Sequence, residues 1–329
     1  MFELLVTARS FGFAGARGIE ALQGLPGVSL TRPEHEQAFT EAEMCALVPG
    51  KDALIVGTDQ VTRQVIECAD RLKVISKHGV GVDNIDLAAA SAAGILVTNL
   101  PNMNDKAVAD MTFGLILSLV RGICRAGERS HQGRGDKFLA HDVWGRTLGV
   151  IGTGRIGREV VRRAQAFDMR VIAYDLYPNP DAAGRFGFRY VSLEELLQAA
   201  DIVTIHVPLT AHTRGLVGAA EIAQMKSSAY LINTARGGIV DELALVQALS
   251  AGRLAGAALD VYDKSLLAEP GAYGLDNLLL TPHVAAYTVE TLEAMDLALV
   301  GEYERILGGE LPMNLLNRDI LPHARFVSA

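Results

Sequence analysis

Short apolar runs alternate along the chain with stretches whose apolar residues recur every three or four positions. An apolar run of four to eight residues is typical of a buried strand, and three- to four-residue spacing is typical of a helix. Alternation of the two indicates parallel sheets covered by helices, so the fold class is predicted to be α/β, with two doubly wound units. The predicted strands are 2–7, 53–56, 73–76, 95–98, 147–151, 169–174, 202–206, 230–233, 255–259 and 277–280. The predicted helices include 14–23, 61–69, 86–93, 111–120, 158–167 and 288–307.

The order of these elements predicts that one unit is inserted into the other. The long helix 288–307 carries apolar residues at helical spacing, and no obvious strand pair follows it. It is well suited to cross back and complete the first unit, which gives domains 1–100 plus 288–329 and 101–287. Two crossings would make a hinge with a cleft in which ligands commonly bind. Separately, Ser192 and Glu195 predict a capping box at a helix start.

A glycine-rich stretch near the middle of the chain is typical of a pyrophosphate-binding turn. A β-branched strand runs into Gly152, Gly154 and Gly157, and a helix-forming run follows directly. Gly152 permits the tight turn, Gly154 lets N–H groups approach phosphates, and Gly157 lets the helix pack on the strand. The next strand ends at Asp175, an acid that would bind the adenosine ribose hydroxyls and repel a 2′-phosphate. The pattern therefore predicts a dinucleotide site that prefers NAD to NADP.

Composition and charge limit the class of protein. The chain has 329 residues, of which 50% are hydrophobic and 21% charged, as in globular proteins of two ordinary domains. A net charge of −8 argues against a nucleic-acid partner. The three cysteines are widely spaced and contain no Cys-x-x-Cys motif, so we expect reduced thiols and a cytoplasmic location.

Several other kinds of site and segment are not expected. Glu3 and the lack of a basic region before an apolar run argue against a signal peptide. The most apolar helical run, 111–120, is too short to span a bilayer, so no membrane partner is expected. The histidines show no metal-ligand spacing, and no metal is predicted.

Two polar side chains follow predicted strands at the edge where ligands bind in parallel sheets. Arg236, in a Gly-Gly turn, can offer paired N–H donors to a carboxylate, although a surface arginine at a helix start is an equal alternative. His283 can transfer a proton near neutral pH, with Glu269 available to bond its other ring nitrogen. The alternative for this pair is a capped loop histidine and a solvated glutamate.

Two further side chains at strand ends are candidates for cofactor contact. Asp260 ends a buried strand and could hold the nicotinamide amide, or it could cap a turn. His206 closes its strand before Val207 and Pro208, so we expect it near the cofactor and not in catalysis.

Taken in order, these motifs make the chain resemble the D-isomer-specific 2-hydroxyacid dehydrogenases, and most closely their D-3-phosphoglycerate dehydrogenase branch. The resemblance implies two Rossmann-like domains, the nucleotide-binding one inserted into the substrate-binding one, and a homodimer joined through the nucleotide-binding domain. The resemblance covers nearly the whole chain and is carried by the motifs 78–86, 144–157, 234–242, 257–262 and 281–288.

The resemblance also implies roles for individual residues. Arg236 would bind the substrate carboxylate and carbonyl, His283 would be the acid/base, and Glu269 would orient and charge-tune His283. The substrate-binding set would be Lys77, Val80, Gly81, Arg236 and His283. The cofactor-binding set would be Gly152, Gly154, Gly157, Thr112, Arg155, Ile156, Asp175, His206, Val207, Pro208, Thr213, Thr234, Ala235, Arg236, Asp260, His283 and Ala285.

The chain departs from the family pattern in three ways. Glu269 lies further beyond Asp260 than the family spacing, which leaves Asp263 as a weaker alternative partner for His283. Asp110 stands where the family usually has Glu. No regulatory domain follows the tail, so the serine feedback of long phosphoglycerate dehydrogenases is not expected.

The predicted function is NAD-dependent hydride transfer to or from C2 of a small D-2-hydroxy acid, with 3-phosphoglycerate as a candidate substrate. Lys77 stands where phosphoglycerate dehydrogenases often place a cation for the phosphate, although a lysine before a glycine turn is more often solvated. Glyoxylate or hydroxypyruvate reduction is the nearest alternative. An NAD-sensing corepressor and a structural NAD-binding subunit are alternatives of other classes.

Overall fold

The structure, a computed structural model, describes residues 1–263, 265–266, 269, 271–272 and 274–326. The chain divides into two compact units, unit 1 with Met1–Asn104 and Tyr287–Ala329, and unit 2 with Asp105–Ala286. The crossings predicted at 100–101 and 287–288 lie within a few residues of these boundaries. The described residues form two parallel sheets flanked by helices, so the predicted α/β class is confirmed.

Unit 1 contains a parallel sheet with the strand order β2-β1-β3-β4-β5. Its strands are β1 (Phe2–Val6), β2 (Val28–Thr31), β3 (Ala53–Val56), β4 (Val74–Lys77) and β5 (Leu96–Thr98). The connecting helices are α1 (Arg17–Gln23), α2 (Glu41–Leu47), α3 (Arg63–Cys68) and α4 (Leu87–Ala92). β3 and β4 are buried at every position, as expected for central strands covered on both faces.

Unit 2 contains a parallel sheet with the strand order β12-β11-β10-β9-β6-β7-β8. The order reverses between β6 and β9, and ligands bind at such a switch point beyond the carboxyl ends of the strands. The strands are β6 (Thr147–Ile151), β7 (Arg170–Tyr174), β8 (Arg189–Tyr190), β9 (Ile202–Ile205), β10 (Tyr230–Asn233), β11 (Gly256–Leu259) and β12 (Leu278–Leu280). The helices are α5 (Asp105–Val120), α6 (Ile123–His131), α7 (Arg155–Ala166), α8 (Pro180–Phe186), α9 (Leu193–Ala199), α10 (Ala219–Gln224) and α11 (Glu242–Ser250).

The last helix, α12 (Val289–Leu307), returns the chain to unit 1. Thr288 is its N-cap and accepts a hydrogen bond from the N–H of Thr291 at 3.2 Å. Met295, Leu299 and Tyr303 are buried in the same core cluster as residues of β1, β3 and β4. The long helix predicted over 288–307 is therefore confirmed, and it supplies part of the core of unit 1.

Two local features differ from the sequence predictions. β2 was not predicted because it is an edge strand whose residues are all only half-buried and lack an apolar run. At α9 the Ser192 hydroxyl caps the N–H of Glu195 at 3.1 Å, as predicted. The Glu195 carboxylate lies 2.9 Å from the Arg189 guanidinium instead, so only half of the capping box is observed among the described residues.

None of the described helices is by itself long and apolar enough to cross a membrane. α5 and α6 meet the requirement only as a pair bent by 64°.

Candidate active site

The glycine turn of unit 2 joins β6 to α7 at the switch point of the sheet. Gly152 has a φ of +97°, a conformation that glycine adopts without strain. A Cβ on Gly157 would lie 2.1 Å from the Gly152 carbonyl oxygen, so α7 packs against the turn only because residue 157 is glycine. Gly154 is the N-cap of α7, and a Cβ there would meet nothing within 4 Å. The turn therefore has the shape that receives a pyrophosphate at a helix N-terminus.

Asp175 follows β7 and is fixed against the glycine turn. One carboxylate oxygen accepts the N–H of Thr153 at 2.7 Å and its hydroxyl at 2.9 Å. The other oxygen accepts the N–H of Tyr177 at 2.9 Å. These bonds fix the carboxylate at the end of β7, where a dinucleotide places its adenosine ribose.

His206 follows β9 on the other side of the switch point. Its Nε2 lies 2.9 Å from the Thr204 hydroxyl, and its buried Nδ1 has no hydrogen-bond partner among the described residues. Loss of hydration lowers the pKa of the His206 imidazole to about 3, so the ring is neutral at physiological pH. A neutral ring nitrogen without an internal partner is suited to bond a polar group of a bound dinucleotide.

The other predicted cofactor residues of unit 2 follow its strands or begin its helices. Arg155 and Ile156 open α7, and the Thr213 hydroxyl donates to the Pro208 carbonyl at 2.6 Å in the loop after β9. Val207 and Ala285 are buried. Together with the glycine turn, Asp175 and the unpartnered nitrogen of His206, these residues fit a dinucleotide. The contact of each with the cofactor stays a prediction.

A turn at the carboxyl end of β10 presents Arg236. The Asn233 side chain closes this turn, since its amide donates to the Arg236 carbonyl at 2.9 Å and its oxygen accepts the N–H of Ala235 at 3.0 Å. The Thr234 hydroxyl lies 3.0 Å from the Thr112 hydroxyl on α5, and both threonines are buried. The turn is therefore held by side-chain hydrogen bonds on each flank.

Arg236 does not lie at a helix start, which one of its two predicted roles required. Arg236 is half-buried. The next helix, α11, begins at Glu242 with Asp241 as its N-cap, several residues further along the chain. A Cβ on Gly237 would lie 3.0 Å from the Tyr262 carbonyl carbon, so the turn packs on the segment that follows β11.

Asp260 organises the loop 281–285 that follows β12. One of its carboxylate oxygens accepts the Thr281 hydroxyl at 2.6 Å and the Val284 N–H at 2.9 Å. The other accepts the Ala285 N–H at 3.0 Å. Asp260 is 0% exposed, so its charge is compensated by these donors. Turn capping, one of the two predicted roles, is observed, and contact with the nicotinamide amide stays a prediction.

His283 lies at the centre of that loop with an uncommon backbone conformation. Its φ is +58°, in the left-handed region that side chains other than glycine rarely adopt. Its N–H donates to the Asp260 carbonyl at 2.8 Å and to the Thr281 carbonyl at 3.0 Å. Strained residues held by surrounding bonds cluster at functional sites, which favours a chemical role for His283.

The predicted partners of His283 differ in their surroundings. The Asp263 carboxylate is exposed and accepts the Ser265 N–H at 2.9 Å, and this hydrogen bond lowers the pKa of Asp263. Glu269 is half-buried, in a segment of which 267, 268 and 270 lie outside the described residues. The capping contact of Asp263 favours Glu269 as the partner, and that pairing stays a prediction.

In unit 1 the loop 79–81 after β4 has the donors that a carboxylate needs. The Val80 carbonyl accepts the Asn99 side-chain amide at 2.7 Å, and the Gly79 carbonyl accepts the Leu100 N–H at 2.9 Å. The N–H groups of Val80 and Gly81 donate no hydrogen bond to any other described residue. The loop is thus anchored through its carbonyls and leaves these two N–H groups available to a substrate carboxylate.

Lys77, the last residue of β4, is buried at 8% exposure, so the alternative of a solvated lysine is wrong. Its ammonium donates to the Asn84 side-chain oxygen at 2.7 Å and to the Gly57 carbonyl. It therefore joins the loops that follow β3 and β4. These bonds direct the ammonium to groups of the protein, and the role as a phosphate ligand stays a prediction.

Sequence reasoning missed residues that act on these loops. Thr153 holds Asp175, Asn84 holds Lys77, and Asp296 of α12 reaches His78, which directly precedes the loop 79–81. The only signal for Asp296 was a charged residue between the apolar positions of a helix with a buried face. The residue that it contacts could not be inferred from that signal.

The match to a family model decides the family. The model of the D-isomer specific 2-hydroxyacid dehydrogenase NAD binding domain matches residues 113–285. This chain belongs to the D-isomer specific 2-hydroxyacid dehydrogenase family. The matched range lies inside unit 2, which therefore corresponds to the NAD binding domain of the family.

Relatives within the dehydrogenase family carry two different activity names. A D-3-phosphoglycerate dehydrogenase of Methanocaldococcus jannaschii is 42% identical over 318 residues, which cover 91% of this chain and 60% of the relative. The chain thus spans less than two thirds of that relative's length. A glyoxylate reductase of Thermococcus litoralis is 39% identical over 280 residues, covering 82% of this chain and 85% of the relative.

Solved structures agree with the family fold. A protein from Thermus thermophilus superposes with a TM-score of 0.85 at 37% identity, covering 96% of this chain and 100% of that one. An Aquifex aeolicus D-lactate dehydrogenase complexed with NAD and lactic acid has a TM-score of 0.83 at 31% identity, covering 95% and 98%. The Rossmann-like folds predicted for both domains are therefore confirmed.

Proposed function

We propose that the protein is an NAD-dependent dehydrogenase that transfers a hydride between the nicotinamide and C2 of a small D-2-hydroxy acid or 2-oxo acid. One observation carries the proposal. His283, in the loop after β12, is held in a strained conformation by the buried carboxylate of Asp260. Asp260 follows β11, the strand next to β10, and β10 leads to the turn that presents Arg236. An acid/base and a cation so placed in an NAD-binding domain are the two groups that 2-oxo acid reduction requires.

Each chemical requirement of the reaction is assigned to a group of this chain. When bound, the nicotinamide supplies or accepts the hydride. His283 gives a proton to the substrate carbonyl oxygen in reduction and takes the hydroxyl proton in oxidation. Arg236 pairs with the substrate carboxylate and polarises the carbonyl, and the N–H groups of Val80 and Gly81 bind the carboxylate. Glu269 orients His283 and stabilises its protonated form.

The substrate we propose is an unphosphorylated 2-oxo acid such as glyoxylate or hydroxypyruvate. The burial of Lys77 and its bonds to Asn84 and Gly57 support this choice, since a phosphate ligand normally presents its donors to solvent or substrate. The relative from Thermococcus litoralis is named a glyoxylate reductase, which also supports this choice. The second candidate is 3-phosphoglycerate oxidation, which the 42% identity to a D-3-phosphoglycerate dehydrogenase favours.

A panel of phosphorylated and unphosphorylated 2-oxo acids, followed by NADH absorbance, tests both candidates. We expect turnover of glyoxylate or hydroxypyruvate, and kcat lowered about 10²- to 10⁴-fold in His283→Ala and Arg236→Ala because proton transfer and charge stabilisation are lost. Matched controls are His212→Ala and Arg253→Ala, two exposed residues of unit 2 that should leave kcat unchanged.

Other outcomes of this experiment would contradict the proposal. Turnover of phosphorylated acids alone would reject the unphosphorylated class. Tight NADH binding without any turnover would indicate a structural NAD-binding subunit, and NADH-dependent assembly without turnover would indicate a corepressor-like protein. A strong preference for NADPH would contradict the role given to Asp175.

We also propose a homodimer formed through the NAD-binding domain. α6 buries none of its residues, and beyond it Leu139 is 101% exposed and Trp144 69% exposed. Large apolar side chains exposed together on one segment favour a protein partner, here a second copy of the chain. Sedimentation analysis should give a dimer for the wild type and a monomer for Leu139→Asp. Leu243→Asp, at a leucine 50% exposed on α11, is the control that should stay dimeric, and an unchanged dimer in Leu139→Asp would refute the interface.

A further inference from the structure

Ser10, His78 and Asp296 form a buried polar group in unit 1, which we call the His78 cluster. The Ser10 hydroxyl lies 2.7 Å from His78 Nδ1, and His78 Nε2 lies 2.9 Å from one carboxylate oxygen of Asp296. The second contact has the distance of an ion pair but not the angle of a hydrogen bond. The side chains of His78 and Asp296 are 0% and 3% exposed. Both ring nitrogens of His78 thus face protein groups away from solvent.

Neighbouring groups hold the cluster from its remaining sides. The other carboxylate oxygen of Asp296 accepts the Gly12 N–H at 2.9 Å. A Cβ on Gly18 would lie 2.7 Å from the Asp296 Cβ, so α1 packs directly on this carboxylate residue. The Phe11 ring meets the His78 ring edge-on, with centroids 5.7 Å apart and planes at 78°. The imidazole therefore has one tightly defined position.

The cluster ties together three segments that are distant along the chain. Ser10 lies in the loop after β1, His78 is the first residue after β4, and Asp296 lies on α12. The His78 N–H also donates to the Val56 carbonyl at the end of β3, at 2.9 Å. The start of the loop 79–81 is therefore fixed through both the side chain and the backbone of one residue.

This arrangement suits positioning and not proton transfer to a substrate. A histidine that exchanges protons with a substrate must present a ring nitrogen to it, whereas both nitrogens of His78 face Ser10 and Asp296. A displacement of the ring that carries the His78 backbone with it would move the N–H groups of Val80 and Gly81, which follow directly along the chain. Movement of the ring would also separate His78 Nδ1 from the Ser10 hydroxyl, and a buried polar group that loses its partner is costly.

We propose that Ser10, His78 and Asp296 are positioning residues that hold the loop 79–81 in the conformation that binds the substrate carboxylate. The inference rests on the proposed function, in which the Val80 and Gly81 N–H groups bind that carboxylate. It assigns the cluster to substrate affinity and not to cofactor binding or proton transfer.

Two variants of nearly unchanged size test the inference, Ser10→Ala and Asp296→Asn. For each we expect the KM for the 2-oxo acid to rise about two- to tenfold, the range that corresponds to the net loss of one hydrogen bond. The Kd of oxamate, an unreactive 2-oxo acid analogue titrated in the presence of NADH, should rise by the same factor. The kcat should change less than about twofold, and the Kd of NADH alone should stay at the wild-type value.

The control is Ser76→Ala, which removes a buried hydroxyl from β4 without touching the loop. The Ser76 hydroxyl accepts from Tyr303 at 3.1 Å and from Thr98 at 3.2 Å, so its loss should lower Tm as Ser10→Ala does. KM and the oxamate Kd should nevertheless stay at wild-type values in Ser76→Ala.

The outcomes separate the inference from the proposed function. Wild-type values of KM and oxamate Kd in Ser10→Ala and Asp296→Asn would overturn the positioning role, as would an equal rise in Ser76→Ala. A wild-type protein that reduces no 2-oxo acid would overturn the proposed function, and the inference with it. An active wild type with unaffected cluster variants would overturn the inference alone.

Discussion

The carboxylate of Asp260 acts on its surroundings through the backbone. Its oxygens accept from Thr281, Val284 and Ala285, on either side of His283. A charge excluded from water is costly unless several donors face it, so these bonds are strong and their geometry is narrow. These bonds, together with the His283 N–H that donates to the Asp260 carbonyl, hold the strained backbone of His283 in place.

We predict that Asp260→Asn lowers both stability and turnover. An amide in place of the carboxylate turns one acceptor into a donor that faces the Ala285 N–H or the Val284 N–H. An unsatisfied buried pair of this kind should cost about 1–3 kcal/mol in the free energy of unfolding, measured with urea. In the proposed enzyme kcat should fall at least about tenfold, because His283 loses its fixed position.

The matched control for this prediction is Asp241→Asn. The Asp241 carboxylate is the N-cap of α11 and accepts the Ala244 N–H at 3.0 Å. Asparagine caps helices as well as aspartate does, so neither stability nor kcat should change appreciably. A wild-type kcat in Asp260→Asn would show that the loop does not depend on this carboxylate.

At the scale of elements, the glycine turn depends on how closely α7 approaches the end of β6. The approach is so close that a Cβ at position 157 would lie 2.1 Å from the Gly152 carbonyl oxygen. A Cβ on Gly152 would likewise lie 2.8 Å from the His206 carbonyl oxygen, so the segment that follows β9 packs against the same turn. Strand, turn and helix can thus be accommodated only with glycine at these positions.

We predict that Gly157→Ala displaces α7 from the turn. Steric overlap with backbone cannot be relieved by a side-chain rotation, so the free energy of unfolding should fall by about 1–3 kcal/mol. The Kd for NADH, measured by fluorescence titration, should rise at least about tenfold because the helix N-terminus moves away from the phosphates.

The control variant for the turn is Gly184→Ala. Gly184 lies within α8, where a Cβ would meet nothing within 4 Å. Alanine is the better helix former there, so we expect stability to rise by about 0.5–1 kcal/mol with NADH binding unchanged. Wild-type affinity for NADH in Gly157→Ala would refute the packing argument.

At the scale of the whole molecule, unit 1 is assembled from both ends of the chain. Leu4 and Val6 of β1 share a buried cluster with Met295 and Leu299 of α12. Bringing together residues so distant in sequence costs loop-closure entropy, and the free energy gained by burying their apolar surface must offset that cost. Unit 1 therefore cannot complete its core until α12 is in place, whereas unit 2 is continuous along the chain.

Asp52 gives the stability of unit 1 a predictable dependence on pH. Burial by itself would raise the pKa of Asp52, but the Glu3 N–H, Lys73 and Arg71 outweigh it and hold the pKa below the ordinary value of 3.8. A carboxyl whose pKa is lowered by folding stabilises the protein above its unfolded pKa, and that contribution is lost as pH falls through the folded pKa.

We therefore predict that Asp52→Asn destabilises the protein at pH 7 and progressively less as the pH falls below 3.8. The loss at pH 7 should be about 1.5–3 kcal/mol, the range for hydrogen bonds to a charged group. Urea unfolding at a series of pH values measures it. Glu67→Gln, at an exposed position of α3, is the control and should change stability by less than about 0.5 kcal/mol. A destabilisation by Asp52→Asn that does not depend on pH would contradict the assignment.

The sequence by itself determined the α/β class, most of the strands and the long returning helix 288–307. It also located the glycine turn, Asp175, Arg236 and His283 at strand ends. These features are local, because strand length, apolar spacing and glycine positions are all recorded in consecutive residues. The edge strand β2 was missed because half-buried residues leave no apolar run.

Only the tertiary structure decided which side chains meet. Lys77 proved to be buried against Asn84, Asp260 proved to bond the loop of His283, and Ser10 and Asp296 proved to enclose His78. Such pairings join residues separated by whole elements, and nothing in the local pattern of either partner names the other. Hydrogen-bond partners are selected by the packing of the complete fold, so residues that position the candidate site become visible only once that fold is known.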